Sequence, residues 1–262
     1  MNPTQITTAP TIFVHIPKTA GISLTQTVVE QYPNRRHELM TGYLDVEPLL
    51  NRPTEYLQSV ELITGHMTLE NPFVDCDVPN PEILTMIRNP IDRVVSLYRH
   101  MKRWPEHPLY DLIKNESLTI TGMIDRQEVE YDNLQTRMLA GLDCIMKPFG
   151  SLDESDLETA IDRVETHGVV VGMQEHYAQS LALYAHHLNW DRSKIRIHTA
   201  NRAQLGPGFR LPVRKQFTPS SSDIECITQN NRLDLKLYEI LSKRSLSEIQ
   251  NLNLSSDFPS VS

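Results

Sequence analysis

The sequence predicts a three-layer α/β fold in which a mainly parallel central sheet is covered by helices on both faces. Three observations carry the expectation. Short apolar, β-branched runs alternate with longer stretches of helical periodicity from residue 11 to residue 199. Those runs lack the apolar/polar alternation of a half-exposed strand, as suits strands buried on both faces. A length of 262 residues is enough for one large core and short for two. The chain is therefore read as one domain over 1–262, with 1–10 and 255–262 as frayed tails.

TIFVHI (11–16) is a buried strand ending at Pro17. ISLTQTVVEQY follows Gly21, and its Leu24, Val28 and Tyr32 fall on one helical face. Residues 33–60 carry prolines and mixed charge and read as loops with a short helix. ELITGH (61–66) and EILTMI (82–87) are two further strands. RNP (88–90) then leads into IDRVVSLYRHMKRW, a helix with Val94, Val95, Tyr98 and Met101 on one face and Pro90 suited to its first turn. Residues 107–141 are helical but broken. DESDLETAIDRVETH (153–167) is an amphipathic helix with acids at its start, where the dipole favours them. VVVGM (169–173) is a strand, QEHYAQSLALYAHHL a helix, and KIRIHT (194–199) a last strand. A Gly, Pro and basic-rich stretch near 200–221 reads as a long loop before one C-terminal helix at about 222–248.

Composition narrows the function classes. Hydrophobic residues at 39% and charged residues at 22% are ordinary globular values and argue against disorder or a fibrous repeat. The formal net charge of −8 disfavours nonspecific attraction to nucleic acid or anionic lipid, so an anionic ligand must meet a local basic cluster. Cys76, Cys144 and Cys226 are scattered, with no CxxC pair and no Cys/His metal spacing, which fits a reducing compartment and no metal. MNPTQITTAPT has neither a basic nor an apolar leader segment, and nowhere do about eighteen apolar residues run together, so no membrane span is expected.

Two loops carry the chemistry. HIPKTAGIS sits between a strand and a helix start, where unpaired N–H groups and the dipole favour a phosphate. Lys18 supplies a full charge, Gly21 allows close backbone approach, and the Thr19 and Ser23 hydroxyls offer further donors. The G-x-x-x-x-G-K-[ST] pattern is absent, because the lysine precedes the glycine; taken alone, the loop also reads as a plain turn. In TMIRNPIDRVVSLYRH, Arg88 at a strand end and Ser96 in the helix can converge on one point, a guanidinium fork suiting a terminal phosphate. A salt bridge of Arg88 with Asp92 is the alternative, and Arg93 and Arg99 read as solvated helix charges.

The pair PKTAGIS and IRNPIDRVVSLY resembles the two nucleotide loops of sulfotransferases that use 3′-phosphoadenosine 5′-phosphosulfate (PAPS). It is similar in particular to the family 2 branch that includes the heparan sulfate 2-O-sulfotransferases. The resemblance implies a P-loop-like fold. It further implies that Lys18, Thr19, Ala20, Gly21, Ile22 and Ser23 hold the 5′-phosphosulfate and that Arg88 and Ser96 hold the 3′-phosphate. LITGHM (62–67) resembles the segment carrying the family's proposed base, which falls on His66, with Lys18 as the other catalytic residue. NLQTRMLAG (133–141) is similar to a helix near the acceptor, and Asn133, Gln135 and Arg137 are candidate acceptor contacts. The likeness fades beyond residue 200, where Arg202, Arg210, Arg214 and Lys215 are open candidates. Animal members have a membrane anchor and lumenal cysteines; this sequence shows neither, so a cytoplasmic, microbial relative is expected to be the better comparison.

The expected activity is in-line sulfuryl transfer from PAPS to a hydroxyl of a carbohydrate or small metabolite, leaving adenosine 3′,5′-bisphosphate. Two other readings stay open: a P-loop-like kinase using ATP and Mg²⁺, and a noncatalytic nucleotide-binding module. His15, within a strand, reads as packing, and His100, His176, His186 and His187 as helix residues. Acceptor identity and oligomeric state are not written in these motifs.

Overall fold

Five strands pair in parallel into one sheet in the computed structural model, which describes residues 9–32, 36–74, 76–115, 118–198 and 217–261. They are β1 (Thr11–Val14), β2 (His37–Met40), β3 (Leu62–Gly65), β4 (Glu82–Ile87) and β5 (Val170–Met173), in the order β2-β3-β1-β4-β5. Among the described residues, helices α1 to α12 span Gly21–Gln31, Glu47–Leu50, Thr54–Leu57, Pro90–Met101, Tyr110–Lys114, Ile120–Asp125, Leu134–Ala140, Leu142–Ile145, Glu154–Thr166, Tyr177–His187, Ser221–Asn230 and Arg232–Leu252. None of them is long and apolar enough to cross a membrane.

Alternate residues of each strand face opposite layers, and the burial follows that period of two. Ile12, Val14, Ile63, Ile83 and Ile87 pack with Leu134 and Met138 of α7, Leu157 of α9 and Leu237 of α12. Phe13, Leu62, Leu84 and Met86 pack on the other face with Leu24 and Val28 of α1 and Leu181 and Tyr184 of α10. Each such side chain contributes about 1.5–3 kcal/mol when fully buried, so both layers are held to the sheet mainly by apolar burial. A third cluster joins α4, α5, α6 and α11 through Val94, Tyr98, Ile113, Met123 and Ile227.

Four expectations are corrected. Residues 33–60 contain strand β2, an edge strand whose HELM sequence buries only Met40 and leaves Leu39 exposed. An edge strand needs no two-sided apolar run, so its sequence carries little signal. The C-terminal helix is two helices, broken at the fully buried Asn231, whose Nδ2 donates to the Tyr131 and Ile227 carbonyls at 2.9 and 3.0 Å. The KIRIHT segment does not join the central sheet. Only Ile197–His198 is extended (β6), pairing with Ser260–Val261 (β7), and Arg192 donates to the Ser255 carbonyl at 2.6 Å. The 255–261 tail is therefore docked rather than frayed. Arg202, Arg210, Arg214 and Lys215 lie outside the described residues.

Candidate active site

The strand order places the two loops side by side. From β1 the chain runs to β2 on one side of the sheet, and from β4 it runs to β5 on the other. The crevice beyond the carboxyl ends of β1 and β4 is thus the switch point at which open parallel sheets bind ligands.

After β1 the backbone turns into α1 through Lys18 at φ 72° and Ala20 at φ 70°. Left-handed conformations cost side-chain-bearing residues of order 1–3 kcal/mol and concentrate at functional sites. Ala20, at the N-cap, has no side chain to offer the helix amides, and no acid lies in the first turn. The start of α1 is thus left for an outside acceptor. Helix α4 is built differently. Asn89 caps it, accepting from the Ile91 and Asp92 amides at 3.0 and 3.4 Å, so its contribution comes from side chains alone.

Arg88 joins the loops. Its amide donates to Gln135 Oε1 and its carbonyl accepts from Gln135 Nε2, each at 2.9 Å, so the residue is held from behind by α7. Its Nη1 donates to the Lys18 carbonyl at 3.1 Å. Nε is buried without a hydrogen-bond partner among the described residues. Asp92 acts on this guanidinium only through space, alongside Glu175, so the salt-bridge alternative is not the geometry adopted.

A cavity of about 690 Å³ opens here, and its walls include Lys18, Ala20, Gly21, Ile22, Ser23, His66, Arg88 and Ser96. Thr19 is the exception among the sequence-selected residues. It is fully buried, and its hydroxyl donates to the Ile16 carbonyl at 2.8 Å, closing the turn instead of facing the cavity. The same walls include residues read otherwise or passed over: His15, His100, Arg103, Trp104, His107 and Glu130. The position of His15 directly after β1, at the carboxyl edge where α/β folds bind ligands, was the signal available for it. A second cleft of about 400 Å³ lies between Tyr32, Glu82 and Trp190. Glu82 begins β4, so this cleft is at the opposite edge of the sheet from both loops.

Burial dominates the electrostatics. His15 is held down to about 3 by burial, then by His66 and Lys18. His100 is held down to about 4 by burial, then by Lys18, Arg103 and His107. Burial also lowers His66, with Glu130 opposing and Lys18 assisting. Lys18 is lowered to about 8 by burial, then by Arg103 and Arg88, against Glu130. At neutral pH the cavity therefore holds cations at Lys18, Arg88 and Arg103, with the imidazoles of His15, His66 and His100 held neutral. This is the local basic cluster that an acidic chain needs for an anionic ligand.

The rings of His15 and His66 meet edge to face at 4.6 Å between centroids. Gly21 makes room for that arrangement, because a Cβ on it would lie 1.7 Å from His15 Cδ2. Gly21→Ala is expected to destabilise the fold by about 1–3 kcal/mol through overpacking. The same substitution in a His15→Ala background should cost under about 0.5 kcal/mol, a coupling readable from urea unfolding of the four proteins. Equal costs in both backgrounds would show that the His15 ring is not what Gly21 accommodates.

Several polar residues serve the framework instead. Asn133 Oδ1 accepts from the Leu233 and Asp234 amides at 2.9 and 3.1 Å, while Asp234 accepts from the Gln135 and Thr136 amides at 3.1 and 2.7 Å. Helices α7 and α12 thus cap each other's starts. Arg137 is fully buried on Asp132, and Asn133, Gln135 and Arg137 are all buried in the framework, outside the lining of the cavity. Arg93, read as solvated, is fully buried and donates to the Glu130 carbonyl at 2.7 Å. Arg99 donates from Nε and Nη2 to the Phe217 carbonyl at 3.1 and 2.7 Å.

Comparison of the chain with protein-family models and with curated proteins returns no match.

Proposed function

We propose that the protein moves a sulfuryl group from PAPS to an acceptor hydroxyl. The observation that carries this reading is the convergence of two loops 70 residues apart, with Arg88 hydrogen-bonded to the Lys18 carbonyl on a shared cavity wall. The fit to a doubly phosphorylated adenosine rests on two features. The start of α1 is uncapped, and the buried Arg88 Nε retains an unused donor. In this reading the α1 amides, Lys18 and Ser23 hold the 5′ end, and Arg88 with Ser96 holds the 3′-phosphate. PAPS when bound supplies the sulfuryl group and a 5′-phosphate leaving group. Lys18, partly desolvated, stabilises charge there more strongly than in water. His66, neutral at physiological pH, accepts the proton of the acceptor hydroxyl. The acceptor class is a carbohydrate or small metabolite.

Titration with adenosine 3′,5′-bisphosphate, set against ATP with Mg²⁺, tests the reading. At a hundredfold excess over its Kd the bisphosphate is expected to stabilise the protein by about 2.7 kcal/mol, with a much smaller response to ATP. Because Lys18 in the free protein titrates near 8, binding above that pH must take up a proton. The association constant should therefore fall as pH rises through 8 to 9. An equal or larger response to ATP–Mg²⁺ would replace this reading with the kinase.

A further inference from the structure

One carboxylate stands in the otherwise cationic and imidazole-lined cavity. Glu130 belongs to a short 3₁₀ turn (Val129–Tyr131) between α6 and α7. It is the sole acid on the cavity wall among the described residues. Two groups outside the cavity hold it in place. The Tyr43 hydroxyl donates to its Oε1 at 2.7 Å, and Arg93 Nη2 donates to its backbone carbonyl at 2.7 Å. Burial and Glu130 together push the Tyr43 hydroxyl far above its usual range, so that donor stays protonated at every working pH. The carboxylate is close enough to both Lys18 and His66 to oppose the downward shift of each. Among the described residues no Lys or Arg side chain forms a salt bridge with its carboxylate; the neighbouring Arg93 binds only its backbone carbonyl, from outside the cavity.

We infer that Glu130 selects the acceptor, which is a neutral or amine-bearing sugar ring rather than an acidic one. The inference rests on the sulfotransferase reading above and goes beyond it. When the nucleotide's anionic groups engage Lys18 and Arg88, those cations of the cavity wall are no longer open to an acidic acceptor, and Arg93 lies behind Glu130 outside the cavity. What then faces the acceptor is a fixed carboxylate beside His66. Acceptor hydroxyl or ammonium groups donate to it, whereas a carboxylate or sulfate on the acceptor meets like charge with no counter-ion, a repulsive selection. A flat wall suited to a sugar ring is present in the same cavity. Trp104 is 43% exposed and belongs to the cavity wall, and its Nε1–H donates to Glu106 Oε2 at 2.6 Å. An indole face can take the C–H face of a pyranose while the ring's hydroxyls reach polar groups.

The test uses radiolabelled PAPS with three matched acceptors, the methyl glycosides of glucose, glucosamine and glucuronic acid. Calorimetry with adenosine 3′,5′-bisphosphate is run on each protein in parallel. The wild type should label the glucoside or glucosaminide at least about tenfold faster than the glucuronoside. Glu130→Gln keeps an oxygen for Tyr43 and should shrink that ratio to near one while bisphosphate binding is retained. Glu130→Asp should retain the wild-type preference. If Gln impairs folding, the wild-type and Asp ratios still decide the matter. Labelling of the glucuronoside as fast as the glucoside overturns the inference, as does labelling of no glycoside by a protein that binds the bisphosphate. Failure to bind the bisphosphate at all overturns the sulfotransferase reading itself, and this inference with it.

Discussion

Lys18→Met is expected to lower turnover with PAPS by about 10²–10³ and to weaken adenosine 3′,5′-bisphosphate binding. The ammonium is desolvated and sits among Arg88, Arg103 and Glu130, so its charge acts on a bound anion with little screening by water. Methionine keeps the length of the side chain, and the Lys18 carbonyl that Arg88 uses belongs to the backbone. The loss therefore reports the charge. The backbone provides an internal control. Residue 18 is at φ 72°, so Lys18→Gly should be more stable than Lys18→Met by about 1 kcal/mol, though equally inactive. His66→Ala should behave differently, losing turnover by about 10²–10⁴ with bisphosphate affinity nearly unchanged. Full turnover in Lys18→Met would remove the lysine from the chemistry.

The largest stability effect is expected from Arg137→Met, a loss of about 3–5 kcal/mol measured by urea unfolding. Arg137 is fully buried and paired with the Asp132 carboxylate. It also donates to the carbonyls of Asp132, Cys144, Lys147 and Pro148 at 2.9, 3.0, 2.7 and 2.9 Å. Removing it leaves a buried carboxylate without its counter-ion and several carbonyls without donors. Asp132 would retain only the Asn133 side-chain amide at 2.8 Å and the Gly150 amide at 2.7 Å. Adding Asp132→Asn should recover part of the loss, because the stranded charge is then gone. The effect should reach the cavity as well, since α7 carries Gln135, which clamps the Arg88 backbone. A loss below about 1 kcal/mol would mean that water or a relaxed loop replaces the guanidinium.

The α/β class and most strands and helices were legible, because strand and helix periodicities are local properties of consecutive residues. The broken helical region and the acid-capped helix at Asp153 were legible for the same reason. Strand β2 was not, because an edge strand is defined by its neighbour β3 and not by its own apolar content. The break at Asn231 was hidden too. It depends on hydrogen bonds to Tyr131 and Asn133, about a hundred residues away, and helical periodicity runs through it.

The candidate site divides along the same line. By itself the sequence determined which loops have the anion-binding form: a strand, a turn with Lys18 and Gly21, then a helix; and a strand, Arg88, then a proline-started helix. Those are relations between near neighbours along the chain. Only the tertiary structure decided which polar groups face the cavity. It turned Thr19 inward, committed Arg93 and Arg137 to the interior, and brought His15, His100 and Glu130 to the wall. Whether a polar side chain is buried, bonded or left facing a cavity depends on what distant segments pack against it, and that packing follows from the burial of both sheet faces.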